Sequence, residues 1–562
     1  AIVVDSSLVT TNSGDVHVLA VDASDIWTDA GGVAVAIAIN KGGSGSTAAA
    51  ASGSVGIANA DNTIEATVNA YLQDSTVVAA GNININADSR NQTEDILDFT
   101  TSAVSDDAIT LAGHGLHSGD RVVYRSTGQE LGALVSGKAY TVIVQNDGTI
   151  QLTEDNVVLS LETSGAGTDH QLETIGSYKI DALAFGVALA ASGTTSKQGF
   201  TGAFAGAGSV AYNEIDTQVA AYISGGEASD GSAGVIAGGS LSVTAADSAT
   251  IRADSGGYAL ALSGTTGGGL TGALEVGVSV AINNIGQGDG QSVHAYITES
   301  NVEVVDDVLV DAASTSEIAA LSIGAAIGVA GSVGDSEGLL LSLAGGGGGS
   351  YNTIEVDVEA AIKSNSTITT DSGQSGSVHV HASDYSKIWS DAGGLGVAIA
   401  FGKGSGGSLS IGASVAENDI AKSLRAYIVG SYVTAAGDVD VAATTENPDD
   451  ASDRRKIDSW TMAGAIGVGA TKTTTLTGSG AGAFSYNAIN NTTSAFISER
   501  DPQDTSASAI TTVVDSGGDV HLEAVDRSEI KSDSGGFSLA LGLGLKNGAG
   551  SLSVGASISE NE

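Results

Sequence analysis

The sequence predicts an all-β protein, a β-solenoid built from alternating repeats of about 70 residues. Three observations predict it. The first is a recurring Asn-x-Ile, at Asn62/Ile64, Asn213/Ile215, Asn283/Ile285, Asn352/Ile354, Asn418/Ile420 and Asn487/Ile489, with Asn561 opening a further copy. Its gaps of 151, 70, 69, 66, 69 and 74 residues set the period, and the first gap carries an extra segment of about 80 residues. The second is period-two alternation. Gly14–Ala20 (GDVHVLA), Gly437–Ala443 (GDVDVAA) and Gly518–Ala524 (GDVHLEA) put Val or Leu on one face and His, Asp or Glu on the other. That is a strand with one wet face. The third is D-x-S-x-I-x-x-D-[AS]-G-G at Asp22–Gly32, Asp384–Gly394 and Asp526–Gly536, with Ala249 replacing Ser at Asp247–Gly257.

The third motif occurs in every second unit. The other units carry runs such as Lys179–Gly186 and Lys456–Gly464 in its place. Gly pairs and Asp, Asn and Ser clusters punctuate the strands and supply turns. Gly31–Ile39 and Ala463–Ala470 are small on both faces. Their regular placement and interleaved Val and Ile argue for closely packed strands rather than flexible linkers. A repeat of this kind cannot close a core alone, so neighbouring units cover its ends. The expected geometry is roughly three coils per unit, with a row of small β-sandwich units as the alternative. The start of the chain matches an internal segment, Ala426–Val441, and its end matches Ile411–Ile420. Joined head to tail, copies would nearly continue the repeat, so a longer array is expected.

Residues 90–176 break the period and divide the chain into a β-repeat array over 1–89, an inserted module over 90–176 and a second stretch of array over 177–562. Asp107–Leu152 reads as short strands separated by SGD, SGK and NDG turns, which predicts a small β-barrel module. A shorter insertion, Thr444–Arg455, falls at the equivalent place of a later unit, and the two prolines, Pro448 and Pro502, lie in loops.

Composition narrows the function. The formal charge is −44, from 65 acidic and 21 basic side chains. A chain this acidic lacks the basic footprint that nucleic acid needs, and it would be repelled by an anionic membrane surface. With 42% hydrophobic residues it can still bury a core. There is no cysteine to staple it. The most membrane-like run, Ile318 to Val333, is short and diluted by Gly and Ser, and reads as buried strand. No G-x-S-x-G, phosphate loop or catalytic Cys occurs, and acidic residues recur by register instead of clustering once. The expectation is not an enzyme.

The candidate site residues are paired aspartates, Asp22/Asp29, Asp247/Asp254, Asp384/Asp391 and Asp526/Asp533. Turn carboxylates and carbonyls could together ligate calcium. The alternative is that each carboxylate accepts local backbone N–H bonds in its own turn. The calcium nonapeptide and the EF-hand loop are both absent. His17, His379 and His521 share a register and read as exposed strand positions. His114, His117 and His170 could ligate zinc or simply shape turns. Tyr71, Tyr222, Tyr296 and Tyr427, with Phe496, predict a stacked aromatic ladder, with a sugar-binding face as the sharper alternative. Trp27 and Trp389 share a register of their own.

His114, Gly115, Leu116, Gly119, Asp120, Val122 and Tyr124 form an HGL-x-x-GD-x-V-x-Y signature. It resembles a small module that recurs in giant bacterial surface proteins. The N-x-I, AYI, GDVxV and D-[AS]-G-G elements resemble the β-strand arrays of giant filamentous adhesins, haemagglutinin-like and leukotoxin-like. The resemblance implies a secreted, elongated structural segment at a bacterial-type cell surface, with other copies or neighbouring repeats as partners. A self-assembling extracellular filament or sheath is the second expectation. A β-helix that binds or cleaves cell-surface glycans is the third.

Overall fold

The structure is a computed structural model. It describes all residues except 1, 5–7, 42–46, 92, 117, 119, 127–129, 147, 155–156, 162–169, 176–177, 196–197, 227–232, 287–289, 335–336, 372, 374, 446–453 and 503–508. Outside the insertion the described strands form four parallel sheets. One coil shows the plan. It runs through Thr367–Thr370 in sheet A, Val378–Asp384 in sheet B, Lys387–Gly402 in sheet C and Ser405–Val429 in sheet D. The chain then climbs one rung and repeats. Seven coils begin at Leu8, Thr76, Val235, Asn301, Thr367, Tyr432 and Val513.

The solenoid is as predicted, but the pitch is not. Asn213 pairs directly with Asn283, and Asn352 with Asn418. One unit is therefore one coil, not three. The reason is strand length: the Gly/Ala runs do not turn but prolong the strands of sheets C and D, to 15 residues at Ile180–Thr194 and 27 at Gln198–Ser224. The alternative of separate sandwich units fails, because parallel ladders join every unit to the next. The Ile318–Val333 run is strand Glu317–Ser332. No helix among the described residues is long and apolar enough to cross a membrane.

The cross-section has two parts. Sheets A and B, with half of C and D, enclose a lobe filled by Val, Ile and Leu, among them Ile215, Val219, Val243, Val310, Ile354 and Val380. Each such side chain, fully buried, contributes roughly 1.5–3 kcal/mol. The remaining halves of C and D continue as a two-layer fin lined inside by Ala188, Ala190, Ala205, Ala261 and Ala326. Its sheets approach so closely that a Cβ on Gly257 would be driven into the Val278 carbonyl, and one on Gly394 into that of Ala413. This is the second glycine of the D-[AS]-G-G motif. It stands in one column with Gly32, Gly186 and Gly324.

Residues 90–176 leave the array at the corner between sheets B and C. Their strands form an eight-stranded antiparallel sheet around a separate core that includes Val122, Tyr124, Tyr140, Ile150 and Leu172. Among the described residues no ladder joins its two edges, so hydrogen bonding leaves the expected barrel open. Buried Arg90 ties it down, donating to Asp88 Oδ2 and to the Gly137 carbonyl, both at 2.9 Å. The shorter insertion sits at the same corner of the sixth coil, after Thr445. Pro448 lies outside the described residues.

Candidate functional site

The corner between sheets B and C holds the first aspartate of each pair. Asp22, Ser89, Asp247, Ser314 and Asp384 occupy successive rungs. Thr445 and Asp526 continue the column, with Thr445 Oγ1 donating to Asp526 Oδ1 at 3.1 Å. Acid and hydroxyl thus alternate, and this is why the sequence alternates in pairs of units. Carboxylates on adjacent rungs, about 4.8 Å apart, would repel by about 3 kcal/mol at an effective dielectric of 20. A hydroxyl rung between them roughly halves that.

The corner carboxylates point inward and are matched within the fold. Ser24 donates to Asp22 at 2.7 Å, Ser386 to Asp384 at 2.7 Å and Ser528 to Asp526 at 2.6 Å. These are the Ser residues of D-x-S. Where Ala249 replaces Ser, the Gln291 amide reaches Asp247 instead. Lys179 bridges Asp22 and Ser89, and Lys422 Nζ lies 2.5 Å from Asp384 Oδ2. The facing column obeys the same rule. Gln291 and Lys422 flank Val356, whose own corner residue is Ser314. Burial pushes the Asp247 carboxyl up to about 6, against the pull of Lys179. Burial also raises Asp526, but its bonds from Ser528, Asn491 and Thr445 outweigh that and hold it below its ordinary value.

The second aspartates, Asp29, Asp254, Asp391 and Asp533, lie on the outward face of sheet C. They alternate there with Leu183, Leu321 and Trp460. The two members of each pair therefore look to opposite sides of the wall and do not converge on one cation. The first aspartate ends a strand of sheet B at the corner and the second lies within the following strand of sheet C, on its outward face.

The Asn-x-Ile motif is a buried ladder. Asn62, Asn213, Asn283, Asn352, Asn418 and Asn487 each donate an amide N–H to the side-chain carbonyl oxygen of the next, ending at Asn561, every bond at 2.8 Å. Thr28 Oγ1 supplies the first, donating to Asn62 at 2.6 Å. The aromatic ladder is present too. Tyr71, Tyr222 and Tyr296 stack at 4.6 and 4.9 Å, and Tyr427 on Phe496 at 5.0 Å. Lys363 covers Tyr296 at 4.3 Å. The rings in these stacks turn their faces to one another. Trp27 is exposed and Trp389 is half-covered by Lys387. In the insertion, His170 is buried against the Tyr124 hydroxyl at 2.7 Å, and His114 Nδ1 accepts the Leu116 N–H at 2.9 Å. His117 lies outside the described residues.

The feature that periodicity alone did not reveal is the outside of the fin. Both outer faces are apolar. Leu270, Leu274, Val276 and Val278 are exposed on sheet D, and Leu262, Leu321, Ile327 and Phe401 on sheet C. Near the fin tip a groove of about 380 Å³ runs over Gly193, Gly264 and Gly331, between Ile39 and Phe401. Asp181, Arg252, Asp254, Asp391, Asp458 and Lys531 form a charged band at the fin root. The signal was in the sequence as small residues alternating with large ones. Period-two alternation does not say which of its two faces a two-layer fin turns outward.

No protein-family model matches the chain, and no curated protein does. Among solved structures, the Gp54 tailspike of Acinetobacter baumannii bacteriophage AP22, in complex with A. baumannii capsular saccharide, aligns over 86% of this chain and 74% of its own, at 8% identity. Its TM-score is 0.13. A likeness at that level carries no argument about fold or ligand.

Proposed function

We propose that this chain is a rigid, non-catalytic segment of an elongated secreted fibre or adhesin at a bacterial-type cell surface, and that copies pack side by side through the fin. The observation that carries the first part is register. The asparagine ladder and four sheets run unbroken through seven coils. The chemistry-bearing columns repeat along the axis instead of converging on one coil. Such an object transmits length and stiffness.

The apolar fin faces favour the filament reading over a lone stalk. About ten residues of strand over seven rungs give each face roughly 1,100 Å². A stable dimer needs about 800 Å² from each partner, and a monomer's largest apolar patch is typically 300–600 Å². With an apolar face on either side, one copy stacked on another leaves a face free for the next. The charged band at the root would set the register between copies.

The test is negative-stain imaging and analytical ultracentrifugation of the protein and of L274K/V276K. Rods that bundle laterally, and separate in the variant, support the proposal. Compact particles would overturn the rod. Single rods at every concentration, or capture by uncharged lipid vesicles in place of bundling, would overturn the second copy as occupant of the fin. The glycan reading is tested by an array of capsular and cell-surface saccharides, with saturable binding counting in its favour and its absence against it.

A further inference from the structure

We infer that His379, His381 and Asp440 form a binding site for a divalent transition-metal cation on the wet face of sheet B, clamping the fifth coil to the sixth. The two histidines are i and i+2 on strand Val378–Asp384, so both imidazoles project from one face. Asp440 stands on the next rung, directly opposite His379. One ligand atom from each of the three lies within 4.8 Å of the other two.

The donor set decides the class of cation. Two imidazole nitrogens and one carboxylate oxygen suit zinc, copper, nickel or iron. Calcium takes oxygen ligands alone, so this site is different in kind from the aspartate turns.

The next rung completes the arrangement. His521 lies opposite Asp440 and meets its Oδ1 at 2.9 Å. His381 Nε2 meets the other oxygen, Oδ2, at 2.9 Å. A cation seated between His379, His381 and Asp440 Oδ2 replaces the proton now shared there. His521 remains a positioning residue that orients the carboxylate from behind, as outer-shell partners of metal ligands do. Three protein ligands leave a position for water. His17 shares the register of His379 but has Leu19 where His381 would stand, with Asn84 opposite it. It serves as an internal control.

The experiment is calorimetric titration of chelator-stripped protein with zinc chloride, paired with cobalt(II) absorption. The expected result is one saturable equivalent, intense visible cobalt bands and no heat with calcium. H379A, H381A and D440N should each weaken zinc at least tenfold. H17A should not change it. H521A should weaken it less than the three ligand variants. Melting curves in chelator check that each variant is folded, since these side chains lie outside the core. Absence of saturable binding, a stoichiometry other than one, or unchanged affinity in H381A or D440N would overturn the site.

Discussion

The side-chain amide of Asn213 donates to the carbonyl oxygen of Asn283 at 2.8 Å, one rung along the solenoid and 70 residues on in sequence. Both are fully buried. Removing Asn283 orphans two groups at once, the Asn213 amide and the Asn352 carbonyl. Each costs about 1–3 kcal/mol. N283A should therefore lose roughly 2–6 kcal/mol in urea unfolding. Since coils contact only their neighbours, hydrogen exchange should quicken in the second, third and fourth coils and not in the seventh.

Glu275 sits inside the fin with neither carboxylate oxygen hydrogen-bonded and no exposed surface. Its neighbours in the column are Ala205 and Ala344. Opposite, Gly328 replaces an alanine, because a Cβ there would strike the Glu275 carboxyl. Burial raises the carboxyl to about 9 from an ordinary 4.5. The neutral acid is favoured in the fold, so folding carries no penalty below pH 4.5 and a growing one from there to pH 9. At pH 7.5 the penalty is at most about 4 kcal/mol. E275A/G328A should melt higher than the parent at pH 7.5, with the gap narrowing towards pH 4. G328A alone should destabilise.

Lys422 and Asp384 are a buried ion pair. K422M strands the carboxylate with only Ser386 for company and should cost roughly 3–5 kcal/mol. K422V/D384S copies the Val356 and Ser314 of the coil below. It should regain most of that loss in thermal melts. If the double variant is as weak as K422M, the alternation of acid and hydroxyl corners is not energetically interchangeable.

The turn from sheet D to sheet A needs a left-handed residue in coil after coil. Gly225 and Gly430 provide it freely, but Asp74, Glu299 and Ser364 adopt φ of 48°, 48° and 56°. Left-handed backbone costs a non-glycine residue about 1 kcal/mol. E299G should gain roughly 0.5–1 kcal/mol by denaturant titration, while G430A should lose about as much or more, since its Cβ would press on Ile510.

Much of this was legible in the residues. Period-two runs such as Val439–Thr444 identified the strands, and the Asn-x-Ile spacing identified the rung. Insertions surfaced as breaks in that spacing. What stayed hidden was where the strands stop. Gly31–Ile39 reads the same whether it turns or runs straight on, so the sequence leaves the number of coils per unit open. The aspartates of each pair recur together but face opposite sides of the wall. Recurrence reports a shared unit, not a shared face.

By itself the sequence determined that the protein is β throughout, repetitive at about 70 residues and paired in alternate units. Those properties follow from local chemistry, since strand periodicity and turn residues act over a few positions. Only the tertiary structure decided that Asp384 is spent on Lys422, that the fin turns its leucines outward, and that His379, His381 and Asp440 meet. Each depends on which rung lies above which and which face a strand presents. Stacking sets that between residues some 60 to 80 apart, beyond the reach of any local pattern.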